Sequence, residues 1–431
     1  METDDKSRFF GYDPPMSNSP DLSPRGRGQF LKNLADFQTE LFRVMGGFIP
    51  GVEDWIMRRE ISQFVFRDAR RVQDLRTRFR ELDVSFNEMH LSAGIAGREL
   101  IEALCEAPTT ADFLFGVFKT VKPILADALE KYLKTMEGVY DRPTQPILQA
   151  NLEEISSQVA WAERSLAALG DKKPDKAFRK KIQELAAKLP ALLEKPDAKG
   201  VSPVLKGRRI GRLPILTSAI PEDFNFVKMG IGPLKEPSEY RDRERWHALN
   251  FLQEFQAGDS CASLLFEAPD MPWEFLFDTS RHMWDEMRHC EFGETKLRSL
   301  GVDFRKAGIS NMAYNLRQTL TPLDRYAALT TQEADAFPGK HAGLKDAMEN
   351  GDSVSSMAWS YDIADETQHV RFGHKWIPVM IEKTREPRSV DQVKQDAENW
   401  RAHVLAKAYA VYSNRAHETD PEKIIKNFKG S

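Results

Sequence analysis

Apolar residues recur every three to four positions along most of the chain, which predicts a series of amphipathic helices. Gly, Pro and polar clusters interrupt this pattern and mark the expected helix ends. In the first part of the chain the pattern predicts helices over residues 29–44, 54–82, 86–105, 110–138 and 143–170. The pattern therefore favours an all-α fold.

Five more helices are predicted in the second part of the chain, over residues 238–267, 272–300, 321–336, 351–383 and 389–415. The third of these is expected to end before Pro338 and Gly339, because proline inside a helix removes a backbone hydrogen bond. The first four can form two antiparallel pairs. Such pairs predict a four-helix bundle, with the fifth helix packed on its outside.

Changes in composition predict five regions along the 431 residues. A Pro-, Ser- and Gly-rich stretch predicts a disordered arm. The expected order is arm 1–27, helical domain 28–170, linker and loops 171–240, four-helix bundle 241–384, and C-terminal helix with tail 385–431. Whether residues 28–170 form a degenerate, metal-free relative of the bundle or an unrelated helical domain stays open.

One sequence motif occurs twice in the predicted bundle. Residues 284–293 read WDEMRHCEFG and residues 364–373 read ADETQHVRFG, so both contain Asp-Glu-x-x-His-x-x-Phe-Gly. Glu and His three positions apart lie one turn apart on the same helix face. Each copy can therefore present a carboxylate and an imidazole to one metal ion.

Two further carboxylates stand at matching distances before these motifs. Glu254 precedes Glu286 by 32 residues and Glu333 precedes Glu366 by 33, and each follows a glutamine. Burying four carboxylates is costly unless cations neutralise them, and two divalent ions would do so. Carboxylate and imidazole ligands suit iron or manganese. The predicted metal ligands are Glu254, Glu286, His289, Glu333, Glu366 and His369.

The segment from about residue 244 to 382 resembles the ferritin-like di-metal carboxylate superfamily, including a poorly characterised ferritin-like family of bacterial proteins. The Asp-Glu-x-Arg-His form of the first motif is similar to that of acyl-carrier-protein desaturases and multicomponent monooxygenases, whereas the second motif has Gln368 in place of the arginine. The resemblance implies a ferritin-like bundle with two Fe ions, or alternatively Mn/Fe or Mn/Mn. Glu286 and Glu366 would bridge the metals, and Glu254 and Glu333 would be terminal ligands.

Five other residues near the motifs are candidates for a role in the chemistry of the site. Asp285 and Asp365 could each accept the N–H of the histidine on the opposite helix, as in the monooxygenases, or could be ordinary solvent-facing charges. His282 lies four residues before Glu286 on the same face, as Asp362 does before Glu366, and either could be an extra ligand, a proton relay, a substrate contact or a buried polar residue without a chemical role. Tyr326 is a candidate redox tyrosine, with a core tyrosine as the alternative.

The resemblance implies an enzyme that uses O2 to oxidise a small organic substrate by hydroxylation, desaturation or another oxidation. An external reductase or ferredoxin would supply electrons, because the chain shows no nucleotide-binding glycine motif and no cysteine cluster. Two alternatives stay open: an iron-binding, ferroxidase or oxidative-stress protein, and a structural or binding protein with a di-metal site.

Charge and cysteine usage narrow the remaining possibilities. A net charge of −4 gives no electrostatic case for nucleic-acid binding. Three cysteines, Cys105, Cys261 and Cys290, show no metal-binding spacing and suit a reducing compartment. No apolar run is long enough for a membrane span and no signal peptide is evident, so a cytoplasmic location is predicted. A homodimer is one possible assembly.

Overall fold

The structure is a computed structural model that describes residues 23–84, 94–136, 138–170, 174–194, 237–268, 271–307 and 309–405. Within these ranges every regular element is a helix, and the all-α prediction is confirmed. Most of the predicted linker, residues 195–236, lies outside the described ranges. Residues 1–22 of the predicted arm and residues 406–431 of the predicted tail also lie outside them. The predicted domain boundaries stay predictions.

The first part of the chain forms eight helices in the described ranges. Helix α1 begins at Pro24, earlier than predicted, because the Ser23 hydroxyl accepts a hydrogen bond from Gly26 N and proline suits the first helical turn. The bounds are α1 Pro24–Phe48, α2 Trp55–Glu81, α3 Gly94–Cys105, α4 Thr110–Leu114, α5 Lys122–Thr135, α6 Thr144–Ala168, α7 Lys176–Ala186 and α8 Leu189–Glu194, with a π-helical stretch Phe115–Val121 between α4 and α5.

The second part of the chain contains the four-helix bundle, made of the segment α9–α10 and the helices α11, α14 and α15. Helix α16 packs against α14 on the outside. The bounds are α9 Tyr240–Leu252, α10 Phe255–Glu267, α11 Trp273–Ser299, α12 Phe304–Ala307, α13 Met312–Arg317, α14 Pro322–Glu349, α15 Ser353–Thr384 and α16 Val390–Trp400.

The first predicted bundle helix is not continuous. A tight turn at Gln253 and Glu254 separates α9 from α10, and their backbone N–H groups bond to Asn250 O (2.9 Å) and Phe251 O (3.1 Å), three residues earlier. The prediction of one helix over residues 238–267 is therefore wrong at this point. No glycine or proline in the sequence indicates this turn.

The predicted end of the third bundle helix is also wrong. Helix α14 continues through Pro338 to Glu349. Proline deprives the carbonyl of Ala334 of its helical partner, and Ala334 is exposed, so water can satisfy that group. The continuation places Lys340, two turns after Glu333, inside the bundle.

Helices from both halves of the chain share one hydrophobic core. Helix α1 packs on α10 and α2 packs on α11, and their buried apolar side chains belong to one cluster. A fully buried ion pair, Arg58 Nη1 to Asp259 Oδ2 at 3.3 Å, also joins α2 to α10. Among the described residues, no helix is both long enough and apolar enough to span a membrane.

Candidate metal centre

The fold brings the six predicted ligands together between the four bundle segments. Glu254 stands at the turn between α9 and α10, Glu333 on α14, and the two Glu-x-x-His pairs on α11 and α15. Five of the six are buried and Glu254 is partly exposed. With two more residues they form two groups of four whose candidate ligand atoms lie within 4.8 Å of one another.

The first group, called here the His282 cluster, consists of His282, Glu286, Glu333 and His369. His282 Nε2 lies 2.8 Å from Glu333 Oε1 and 3.3 Å from Glu286 Oε1. His369 Nδ1 lies 3.2 Å from the same Glu286 oxygen. His282 is thus one of the four candidate ligands of this cluster. This arrangement agrees with the extra-ligand role that its position on the helix face left open.

The second group, called here the Asp362 cluster, consists of Glu254, His289, Asp362 and Glu366. His289 Nδ1 lies 3.1 Å from Glu254 Oε2 and 3.5 Å from Asp362 Oδ1. It also lies 3.8 Å from Glu286 Oε2, and His369 Nδ1 lies 3.8 Å from Glu366 Oε2. The two glutamates of the repeated motif therefore lie between the two clusters, where a bridging ligand has to be.

Each of the six predicted ligands has one buried polar atom that makes no well-aligned hydrogen bond with a described residue. Four of these atoms face each other in pairs, Glu254 Oε2 with His289 Nδ1 at 3.1 Å and Glu286 Oε1 with His369 Nδ1 at 3.2 Å. Buried polar atoms cost roughly 1–3 kcal/mol each when they are left unpaired, and an ion shared between them would satisfy them. Carboxylate oxygens and imidazole nitrogens that converge in this way fit divalent Fe or Mn ions. The atoms are Glu254 Oε2, Glu286 Oε1, His289 Nδ1, Glu333 Oε2, Glu366 Oε2 and His369 Nδ1.

The two aspartates of the motif each face the histidine of the opposite helix. Asp365 Oδ2 lies 3.2 Å from His289 Nε2, and Asp285 Oδ2 lies 3.4 Å from His369 Nε2. A carboxylate in contact with Nε2 favours the tautomer with hydrogen on Nε2, which leaves the Nδ1 lone pair directed at the cluster. In that tautomer each imidazole would present Nδ1 to a metal ion.

Two arginines of α11, Arg281 and Arg288, each contact both aspartates. Arg288 Nη2 donates to Asp285 Oδ1 at 3.0 Å and also to Asp365. Arg281 Nε adds a hydrogen bond of 2.6 Å to Asp285. Because Arg288 contacts both carboxylates, the second motif does not need its own arginine, and Gln368 can occupy that position.

The glycine of each motif permits close contact between helices. A Cβ atom at Gly293 would lie 2.4 Å from Ala248 O on α9, and one at Gly373 would lie 2.6 Å from Thr330 Cβ on α14. These contacts fall one turn from His289 and His369. Gly293 therefore sets the distance between α11 and the segment that carries Glu254, and Gly373 sets the distance between α15 and the helix that carries Glu333.

The environments of the carboxyl groups shift their pKa values in different directions. Burial alone would raise the pKa of Glu286, but contacts with three histidines outweigh it and hold the pKa well below its usual range. Burial raises the pKa of Glu254 and Glu333, and raises that of Asp362 to about 7. Protons on these groups compete with a metal ion, so metal binding is expected to release protons.

One residue of the centre was missed in the sequence. Lys340 Nζ lies 2.7 and 2.8 Å from the two oxygens of Asp362 and 2.9 Å from Glu366 Oε1. Burial would lower the pKa of Lys340, but Glu254, Glu366 and Asp362 raise it well above its usual value. Lys340 lies seven residues after Glu333, which places both on the same face of a continuous helix. The sequence could have indicated Lys340 only if the helix had been predicted to continue through Pro338.

Tyr326 is fully buried, and its hydroxyl has no hydrogen bond to a described residue. Its ring packs edge-on against Phe275 at 5.5 Å. Burial raises its pKa well above the usual value, so the phenol is neutral. The tyrosine contributes to the core beside the His282 cluster without a direct hydrogen bond to a candidate ligand.

Comparison with known proteins bears on the part of the chain that holds this centre. Residues 217–418 match the family model described as "Protein of unknown function (DUF455)". The match spans slightly less than half of the chain and includes all six predicted ligands, Lys340 and both copies of the motif. Neither a curated protein nor a solved structure matches the chain.

Proposed function

We propose that the chain is a di-metal oxidoreductase of the ferritin-like kind. It uses two Fe ions, or alternatively Mn and Fe or two Mn, with O2 to oxidise a small organic substrate. The observation that carries the proposal is the convergence of six side chains, five of them buried, whose carboxylate oxygens and imidazole nitrogens face one another around two adjacent positions. Without metal ions, so many carboxylate and imidazole groups around two adjacent buried positions would be costly.

The residues have distinct roles in this proposal. The four glutamates and two histidines hold the ions, and Glu286 and Glu366 lie between the two positions. Asp285 and Asp365 orient the imidazoles. Bound Fe or Mn would supply the redox chemistry with O2. Burial of the ligands keeps bulk water away from the reacting centre.

Electrons are proposed to come from an external reductase or ferredoxin. The main competing function is iron handling, in which excess Fe²⁺ is oxidised without an organic product. Both functions need the same ligands, so they differ in their products and not in the geometry of the centre.

The test is anaerobic reconstitution of the full chain with Fe²⁺, followed by metal analysis and optical spectra before and after O2. We expect up to two ions per chain and an O2-dependent absorption change. His369→Ala should lower the bound metal, and His374→Ala, an exposed histidine on the same helix, should not. Absence of tight metal binding would overturn the proposal, and turnover of excess Fe²⁺ into a mineral would favour iron handling.

A further inference from the structure

The two copies of the repeated unit differ at a pair of matched positions. His282 lies four residues before Glu286, and Asp362 lies four before Glu366. Cys261 lies seven residues after Glu254 in the first copy, and Lys340 lies seven residues after Glu333 in the second copy. The first copy thus pairs a thiol with an imidazole, whereas the second pairs an ammonium with a carboxylate.

The ammonium of Lys340 contacts three of the four residues of the Asp362 cluster. It bonds to both oxygens of Asp362 and to Glu366, and it lies 3.9 Å from Glu254 Oε1. The side chain is almost completely buried, at 9% exposure. By contrast, within the described ranges no lysine or arginine forms an ion pair with Glu286 or Glu333 of the His282 cluster.

A metal ion in the Asp362 cluster would compete with this ammonium. Both cations would share the oxygens of Asp362 and the carboxylate group of Glu366, and two positive charges in a buried site repel each other strongly. A lysine side chain is flexible enough to withdraw, because its charge lies at the end of four methylene groups. Among the described residues, no lysine or arginine side chain competes in this way at the His282 cluster.

We propose that Lys340 is a tethered cation that makes the two clusters bind metal in a fixed order. The first divalent ion binds the His282 cluster. The second binds the Asp362 cluster only after it displaces the ammonium from Asp362 and Glu366. The inference rests on the proposed function, because it assumes that both clusters bind metal.

The test is an anaerobic titration of the full chain with Mn²⁺. Calorimetry measures the heat of binding, and the electron paramagnetic resonance signal measures the Mn²⁺ that stays free. In the wild type we expect one tight equivalent and a second that binds about 10- to 100-fold more weakly, the range typical for changes around a metal ligand. Lys340→Met keeps an unbranched side chain of nearly the same length and removes the charge, so the difference in affinity between the two equivalents should shrink by about tenfold or more.

Lys345→Met is the matched control, because Lys345 lies on the same helix and is 76% exposed. It should titrate like the wild type. Two equally tight equivalents in the wild type, or an unchanged difference in affinity in Lys340→Met, would overturn the inference and leave the proposed function intact. Absence of binding to both clusters in every form of the protein would overturn the proposed function, and this inference with it.

A measurement on the wild type alone covers the case in which Lys340→Met fails to fold. Anomalous scattering from crystals grown with one equivalent of Mn²⁺ should show the ion in the His282 cluster. At excess Mn²⁺ a second peak should appear with Lys340 turned away from Asp362. A first peak in the Asp362 cluster, or two peaks with the ammonium still bonded to Asp362, would refute the ordered binding.

Discussion

Replacement of Gly293 by alanine tests whether the close helix contact of the repeated motif holds the ligands in place. The new Cβ would lie 2.4 Å from Ala248 O and 2.7 Å from Leu252 N. Both are backbone atoms, so no side-chain rotation relieves the contact. Helix α9 would have to move outward by at least about 0.6 Å to restore a tolerable 3.0 Å. Glu254 lies two residues beyond Leu252 and would move with it.

The magnitude follows from two opposing effects. Alanine is favoured over glycine in a helix interior by about 0.5–1 kcal/mol. Overpacking a tight contact costs about 1–3 kcal/mol, and a backbone obstacle belongs at the upper end. We therefore expect Gly293→Ala to lower the free energy of unfolding by about 2 kcal/mol and to weaken metal binding at Glu254. Gly339→Ala, with no atom within 4 Å of its Cβ, should instead raise it by about 0.5–1 kcal/mol.

Urea unfolding followed by circular dichroism in the presence of a chelator measures these changes without a contribution from metal. The second motif provides an independent check, because Gly373→Ala would place Cβ 2.6 Å from the Cβ and Oγ1 atoms of Thr330. Thr330→Gly removes both atoms. The loss of the free energy of unfolding that it causes should be about 1 kcal/mol smaller in the Gly373→Ala variant than in the wild type, because it also relieves the close contact. A stable Gly293→Ala variant, or additive costs for Thr330→Gly and Gly373→Ala, would refute the argument.

Three further substitutions test the centre and the end of α15 that lies away from it. Asp365→Asn should weaken Mn²⁺ binding about tenfold in the same titration, and an unchanged affinity would show that this carboxylate does not position the imidazole. Burial would raise the pKa of Asp352, but hydrogen bonds from Lys296 and Ser355 outweigh it and lower the pKa below its usual 3.8. Asp352→Asn should therefore lower the free energy of unfolding by about 1–2 kcal/mol at pH 7, measured by urea unfolding. The loss should become smaller as the pH falls below 3.8, because the carboxylate then loses its charge in the unfolded chain first. A loss that does not depend on pH would contradict this assignment. Tyr326→Phe should change stability by less than about 1 kcal/mol and leave metal binding unchanged, and a loss of bound metal would show an interaction that the structure does not contain.

Several features of the centre could be predicted because helix geometry is local. The spacing of Glu286 and His289, and of Glu366 and His369, places each pair on one face of any regular helix. The matched distances to Glu254 and Glu333 require only that two segments pack antiparallel. The all-α fold and the bounds of α2, α6, α11 and α15 depend on the same periodicity, so they too could be predicted.

Other features depend on contacts between distant residues. Whether α14 continues through Pro338 depends on how a lost backbone bond is compensated, and that in turn decides whether Lys340 enters the centre. The turn at Glu254 carries no glycine or proline signal. Spacing along the chain also does not show that Arg288 contacts both aspartates from one helix.

The sequence by itself thus determined which side chains share a helix face, because a helix repeats every 3.6 residues whatever surrounds it. The tertiary structure decided which faces meet and at what distance. That choice depends on packing of the whole bundle, down to the two glycines that allow the helices to approach and the one lysine that shares the carboxylates of the Asp362 cluster.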